Sequence, residues 1–155
     1  MNILKKIGKW LLCIIGGIIA FVLIVLVVIR INSSGQEEPF LDENGELLAN
    51  SIAMHENIDI NGVPQRITIR GTDANNPIFL RVHGGPGSAS PPVISRVNGF
   101  DLEDLFTVCY WEQRGAGMAY STDIPDSTIN LPQIIDDGLM VVDYLRKEFQ
   151  KDKIF

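Results

Sequence analysis

The run His83-Gly84-Gly85-Pro86-Gly87 combines residue types that suit a catalytic loop. It directly follows residues 77–82, an apolar run typical of a buried strand. Three glycines and a proline stop the continuation of a strand or a helix, and glycines leave backbone N–H groups uncovered. A loop of this kind at the end of a buried strand suits an oxyanion hole, in which N–H groups stabilise negative charge during acyl transfer.

Two other interpretations of this loop stay open on the residues alone. A tight turn that needs glycine only for its shape is common, because turns outnumber sites. A phosphate-binding loop is disfavoured, since residues 85–90 lack the third glycine of a dinucleotide fingerprint and no Gly-Lys-Ser/Thr follows. The two histidines, His55 and His83, have no second His or Cys at ligand spacing, so the sequence indicates neither a metal site nor a cofactor.

A second block, Tyr110-Trp111-Glu112-Gln113-Arg114-Gly115-Ala116-Gly117, lies at the end of another apolar run. In their order and spacing the two blocks resemble the His-Gly-Gly-Pro-Gly and Asp-Gln-Arg-Gly-x-Gly signatures of proline iminopeptidase-like serine peptidases, within the α/β-hydrolase superfamily. Glu112 stands where that family more often has Asp. The resemblance extends from about Ser51 to the last residue.

The resemblance assigns roles to the residues of both blocks. Backbone N–H groups of Gly84 or Gly85 would form part of the oxyanion hole. The residues expected to support this loop are His83, Pro86, Gly87, Glu112, Gln113 and Arg114. Glu112 and Arg114 are expected to form a charge-assisted network beside the loop. His83 is expected to shape the loop and not to act as the base, because the family's catalytic histidine comes near the C-terminus.

The resemblance also implies an α/β fold in which an antiparallel hairpin precedes parallel strands flanked by helices. In that fold the nucleophile elbow Gly-x-Ser-x-Gly, the acid and the histidine base come later in the chain, and residues 1–155 contain no such elbow. Residues 51–155 are therefore expected to form a partial domain that lacks the catalytic triad and the cap. We expect these 155 residues alone to be catalytically inactive.

The N-terminal part of the sequence is suited to a membrane. Residues 10–29 contain no charge, and this length spans the ~30 Å hydrocarbon core of a bilayer. Three lysines lie in residues 1–9, so the positive-inside rule places these residues in the cytoplasm and the later chain outside. A cleaved signal peptide is the alternative, but its apolar core is shorter and ends in small residues. The sequence therefore predicts a single-pass transmembrane helix over residues 10–30 and a location at the cell membrane.

Charge and cysteine usage restrict the possible partners. All 19 acidic residues follow Arg30, so the part of the chain beyond the predicted membrane helix is strongly acidic. Nucleic acid is therefore an unsuitable partner. Cys13 and Cys109 fall in the membrane helix and in a predicted core strand, so a disulfide between them is not expected.

Local patterns divide the rest of the chain. Residues 31–50 are polar and contain two glycines and a proline, which predicts a linker. Asn61-Gly62 predicts a type I′ hairpin turn. Further predicted elements are a strand over 63–70, a short helical turn over 101–105, a strand over 106–111, a helix between 131 and 149, and a new strand from 153. In the helix, Asp136 and Asp137 are expected to face solvent. The expected apolar face consists of Leu131, Ile134, Ile135, Gly138, Leu139, Val142, Leu145 and Phe149.

Two classes of function follow from these observations. The first is the N-terminal part of a membrane-anchored serine aminopeptidase that acts on peptide N-termini, with an esterase or another hydrolase of small acyl substrates as the alternative within the class. The second is a non-catalytic interaction module tethered to the membrane.

Overall fold

The computed structural model describes residues 3–33, 35–85, 87–89 and 102–155, with side chains from Ile7 onward. The chain divides into two compact units, Met1–Gln36 and Glu37–Phe155. The first unit contains one long helix. The second is a mixed α/β unit with a four-stranded sheet, one long helix and short 3₁₀ turns.

The N-terminal helix α1 covers Ile3–Asn32 without interruption. Its stretch Ile7–Asn32 is long and apolar enough to cross a membrane. A signal sequence near an N-terminus has the same character. The predicted helix is thus confirmed, whereas its insertion in a membrane and its orientation stay predictions.

The sheet consists of β1 (Ile52–Ile60), β2 (Val63–Gly71), β3 (Ile78–Val82) and β4 (Thr107–Glu112), in the order β1-β2-β4-β3. The pairs β1–β2 and β2–β4 are antiparallel, and β3–β4 is parallel. An antiparallel hairpin followed by a parallel pair agrees with the arrangement expected from the resemblance.

The turn between β1 and β2 follows from its two residues. Ile60 pairs with Val63 across the turn, and Asn61 and Gly62 have φ values of 51° and 74°. Positive φ at both central positions is the requirement of a type I′ turn, and Asn-Gly meets it with little strain. The predicted hairpin is confirmed.

The connection from β3 to β4 is only partly described. The 3₁₀ turn Leu102–Asp104 confirms the short helical turn expected there. Pro86 and residues 90–101 lie outside the described residues. A crossover between two parallel strands is expected to be right-handed, and the sequence of residues 88–99 predicts a loop. Both expectations fall mostly on that part of the chain.

Strand β4 lies between β2 and β3, and both of its faces are covered. Val108, Cys109, Tyr110 and Trp111 are each at most 3% exposed. Near-continuous apolarity is what a strand in this position requires. Cys109 is a free thiol, and burial raises its pKa to about 12.

The second helix, α2, covers Leu131–Glu148. The side chain of Asn130 caps it by accepting a hydrogen bond from the backbone N–H of Gln133 (3.0 Å), as Asn does at helix N-termini. The residues of α2 that are fully buried are Asp137, Val141 and Leu145.

The predicted apolar face of α2 is partly wrong. Leu131, Ile135 and Leu139 are 57–69% exposed. The face on the sheet contains Ile134, which is partly buried against the core, and the three buried residues that follow it at spacings of three and four. Leu131, Ile135 and Leu139 form the adjoining stripe, which nothing in the described chain covers.

The last residues extend the sheet, as predicted. Ile154 pairs with Ile78 in a parallel bridge on the edge of β3 that β4 leaves free. Phe155 donates its N–H to the carbonyl of Ile78 (2.9 Å), and its own carbonyl accepts from Leu80 (2.8 Å). A strand that continued in this register would run parallel to β3.

Residues Glu37–Phe40, expected to belong to a linker, contact the sheet. Arg70 of β2 donates from Nη1 to the carbonyl oxygen of Glu38 (2.7 Å), and its guanidinium lies 4.7 Å from the ring centroid of Phe40. Leu41 and Leu47 form an antiparallel bridge. The physical reason for these contacts is the buried guanidinium of Arg70 on β2. The polar sequence of the segment itself gives no sign of this partner.

Candidate functional site

The two signature blocks leave the sheet side by side. Val82 and Trp111 pair near the ends of the parallel strands β3 and β4. The loop that begins at His83 and the loop that begins at Gln113 therefore emerge at the same carboxyl edge. Ligands of open α/β sheets bind at this edge.

Gln113 is hydrogen-bonded to the loop that begins at His83, which we call the first loop. Its side chain donates from Nε2 to the carbonyl oxygen of His83 (2.8 Å), and its backbone N–H donates to Nε2 of the His83 ring (3.2 Å). The ring is only 7% exposed. These two hydrogen bonds connect the end of β3 to the end of β4.

The contacts of His83 define its tautomer. Because Nε2 accepts a hydrogen bond from Gln113, the proton of the neutral ring lies on Nδ1, which then donates to the carbonyl oxygen of Gly84 (3.0 Å). Both nitrogens are engaged, so His83 has no free lone pair with which to accept a proton from a substrate or nucleophile. The geometry favours the predicted shaping role over that of a base.

The backbone N–H groups of Gly84 and Gly85 are available to a ligand. Both residues are exposed, and within the described chain no acceptor lies in hydrogen-bonding position to either N–H. The carbonyl of Gly84 instead faces the loop, where it accepts from Ser88 (3.3 Å). Among the described residues, these donors have no acceptor, which is compatible with an oxyanion hole. Gly87 is exposed too, and Pro86 is outside the described residues.

Glu112 and Arg114, expected to form one charge network, contact different partners. The Glu112 carboxylate accepts from the backbone N–H of Met118, in the 3₁₀ turn Gly117–Ala119. The Arg114 guanidinium donates to Asp137, from Nε to Oδ2 at 2.9 Å and from Nη2 to Oδ1 at 3.1 Å. A buried carboxylate on α2 therefore takes the place that Glu112 was expected to have.

Asp137 was expected in solvent, and this prediction is wrong. Its side chain is fully buried, and besides Arg114 it accepts from three amide side chains. The donors are Asn61 (2.8 Å), Gln65 (2.7 Å) and Gln133 (2.9 Å). Oδ1 accepts three hydrogen bonds and Oδ2 accepts two, and such donors are what allows a charge to be buried. We call these five residues the Asp137 cluster.

Burial alone would raise the pKa of Asp137, but the hydrogen bonds from Arg114 and the three amides outweigh that effect and hold this pKa below its ordinary value of 3.8. A carboxyl whose pKa is lowered by folding stabilises the folded state above its unfolded pKa and loses that contribution as the pH falls through the folded pKa.

We expect the free energy of unfolding of the full-length protein to decrease when the pH is lowered below about 4. Asp137→Asn should reduce this fall, measured by urea denaturation between pH 3 and 6. Asp136→Asn, at the exposed neighbour, is the control; equal pH profiles for both variants would contradict the assignment.

A cavity of about 480 Å³ opens beside the first loop. Its polar side contains His83, Gly84, Gly85 and Gln113. Its apolar side is lined by Val82, Ile129, Leu131 and Ile134. Volume and lining are typical of a small-molecule site, in which an apolar wall accompanies a few polar groups.

Sequence reasoning missed Asp137, although a signal for its burial existed. Asp137, Val141 and Leu145 recur at intervals of four residues, so all three share one helix face. Gln65 was missed as well. It accepts a hydrogen bond from Nε1 of Trp111 (2.8 Å) through its carbonyl oxygen, and no local pattern distinguishes such an amide from an exposed one.

Comparisons with known proteins agree with the geometry. No protein-family model matches the sequence. The chain is 36% identical over 107 residues to a probable aminopeptidase of Bacillus subtilis (strain 168), a match that covers 68% of this chain and 33% of that protein.

The structure is similar to the crystal structure of a proline iminopeptidase-related protein of Thermus thermophilus, with a TM-score of 0.51 and 20% identity over 61% of this chain and 32% of that one. The chain thus spans about a third of the length of both relatives. Together these similarities indicate an aminopeptidase-like relationship and a fold of the α/β-hydrolase type.

Proposed function

We propose that this chain is the N-terminal part of a membrane-anchored serine hydrolase, an aminopeptidase of the proline iminopeptidase type that acts on peptide N-termini. The observation that carries the proposal is the pair of N–H groups on Gly84 and Gly85 at the carboxyl edge of the sheet, which have no acceptor in the described part of the chain. The names of the two relatives support the choice of peptide substrates.

The catalytic serine in this proposal lies beyond residue 155. Ile154 pairs in parallel with Ile78, so a strand in that register would reach the level of Val82 about four residues later. At that level the chain would meet the cavity beside Gly84 and Gly85. A serine there would face the free N–H groups of the loop.

Each residue of the site has one task in the proposed reaction. The serine oxygen attacks the carbonyl carbon of the substrate, and negative charge develops on the carbonyl oxygen. Backbone N–H groups of Gly84 or Gly85 donate to that oxygen, and one such donor is typically worth about 10²–10³ in rate. Gln113 and His83 hold the loop in place. Because both His83 nitrogens are engaged, the base that takes the serine proton must be another group.

The activity is tested with the full-length protein purified in detergent. We expect turnover of aminoacyl-arylamides, proline arylamide among them, and covalent labelling of one serine beyond residue 155 by a fluorophosphonate. N-acetylated arylamides are the control, since an aminopeptidase needs a free N-terminus. Hydrolysis of short esters alone would favour an esterase, and absence of both turnover and labelling would favour a non-catalytic module.

The membrane part of the proposal has its own test. We propose that α1 is an uncleaved anchor, with the lysines before residue 10 in the cytoplasm and residues from 33 onward outside. A reporter that is active only outside the cytoplasm, fused after Gly35, should then be active. An inactive fusion would reverse the orientation, and release of the reporter from the membrane would identify a cleaved signal peptide.

A further inference from the structure

The Asp137 cluster joins three separate parts of the Glu37–Phe155 unit. Asn61 and Gln65 belong to the β1–β2 hairpin, Arg114 to the block after β4, and Gln133 and Asp137 to α2. The Arg114–Asp137 contact is made of two parallel hydrogen bonds, which fix the plane of the guanidinium as well as its distance. Both side chains are at most 5% exposed, so water does not replace these contacts.

A short series of contacts leads from this cluster to the first loop. Arg114 follows Gln113 in the chain, so fixing Arg114 also restricts the backbone of its neighbour. Gln113 makes two hydrogen bonds to His83, and the His83 ring donates to the carbonyl of Gly84. Each link in this series is either one peptide bond or a direct hydrogen-bonded contact.

From this connection we infer that Asp137 is a positioning residue for the first loop, acting through Arg114 and Gln113 on His83 and Gly84. The inference rests on the proposed function for its catalytic consequence. Asp137 touches no substrate; it fixes the block after β4, and that block fixes the direction of the Gly84 and Gly85 N–H groups. A displacement of about 1 Å at a reacting centre is enough to lower a rate by about 10²-fold.

A purely structural role for Asp137 is the alternative, and the chain offers a matched control. Arg70 and Glu103 form a second buried ion pair, with Nε 3.2 Å from Oε1 and side chains at most 1% exposed. Glu103 precedes β4, so this pair lies at the strand end opposite to Gln113. Glu103→Gln and Asp137→Asn make the same chemical change in equally buried pairs, but of these two ion pairs only the second includes a residue of the block after β4.

The first measurement is independent of activity. In full-length protein labelled with ¹⁵N-histidine, the His83 signals, assigned with a His83→Asn variant, should indicate a neutral ring with the proton on Nδ1. Asp137→Asn should change the tautomer balance or broaden these signals, and Glu103→Gln should leave them unchanged. Unchanged His83 signals in Asp137→Asn would overturn the inference, whether or not the protein is a hydrolase.

The second measurement uses the hydrolase activity. We expect Asp137→Asn to lower kcat by about 10–100-fold with little change in KM, because the loop acts on the transition state. Glu103→Gln should keep kcat in the folded fraction. Equal losses of kcat in the two variants would indicate that Asp137 has a structural role only. An inactive wild-type protein would refute the proposed function, while the His83 signals would still decide the inference.

A milder variant covers the case in which Asp137→Asn does not fold. Arg114→Lys keeps a cation beside the carboxylate but replaces the two parallel hydrogen bonds with a point charge. It should change the His83 signals and lower kcat in the same direction. Wild-type values of both quantities in Arg114→Lys would also contradict the inference.

Discussion

Gly85→Ala in the full-length protein is expected to lower kcat by about 10²–10³-fold, the typical loss for one oxyanion-hole donor. Gly85 has φ of 131°, a conformation that residues with a side chain rarely adopt. A Cβ at this position would lie 2.8 Å from the backbone nitrogen of Ser88. The loop must therefore move to accept alanine, and the N–H groups of Gly84 and Gly85 move with it.

Gly84→Ala is the matched comparison for this experiment. A Cβ at Gly84 meets no atom within 4 Å, and its φ lies outside the left-handed region. The alanine keeps the N–H group, so the loss of kcat should be smaller than in Gly85→Ala. Steady-state kinetics on an aminoacyl-arylamide measures both variants, with thermal unfolding to show that each is folded. Equal losses would mean that the shape of the loop does not control the rate.

Arg70→Ala is expected to lower the free energy of unfolding by about 3–5 kcal/mol, the usual result of removing one partner of a buried ion pair. Glu103 is fully buried, and its carboxylate would lose the guanidinium whose Nε lies 3.2 Å from Oε1. The variant also loses the hydrogen bond to the carbonyl of Glu38 and the contact with Phe40. Urea denaturation followed by tryptophan fluorescence measures the loss.

Two further variants give this prediction its controls. Arg66→Ala removes the same charge from a half-buried position on the same strand, and its cost should be at most about 1 kcal/mol. The double variant Arg70→Met, Glu103→Leu should be less destabilised than Arg70→Ala, because it removes both charges of the pair together. It also removes Arg70 Nη2, which has no hydrogen-bond partner among the described residues. A loss in Arg66→Ala as large as that in Arg70→Ala would contradict the explanation.

The parts of the fold that were predicted correctly are those that neighbouring residues determine. Asn61-Gly62 specifies a turn by its own backbone preferences. The apolar run that forms β4 and the polar cap at Asn130 likewise act over a few residues. The absence of a helix or strand at residues 83–85 belongs to the same class, since the glycines of this part of the sequence disfavour regular structure by themselves.

The buried charges could not be predicted in this way. Asp137 takes its hydrogen bonds from Asn61 and Gln65, which are more than 70 residues away in sequence. Arg70 reaches Glu103 across 33 residues. A charged side chain is buried only when such partners converge on it. The sequence around each of these two charged residues is typical of a segment exposed to solvent. The contacts of Glu38 and Phe40 have the same origin, because their partner Arg70 lies on β2.

The hydrogen bonds of His83 limit what can replace it. The ring accepts from the Gln113 N–H through Nε2 and donates to the Gly84 carbonyl through Nδ1. A side chain without an acceptor in this place would leave the contact between the ends of β3 and β4 to the Gln113 side chain alone. Substitution of His83 would thus disturb the geometry around the substrate oxygen through a residue that takes no part in the proposed bond breaking.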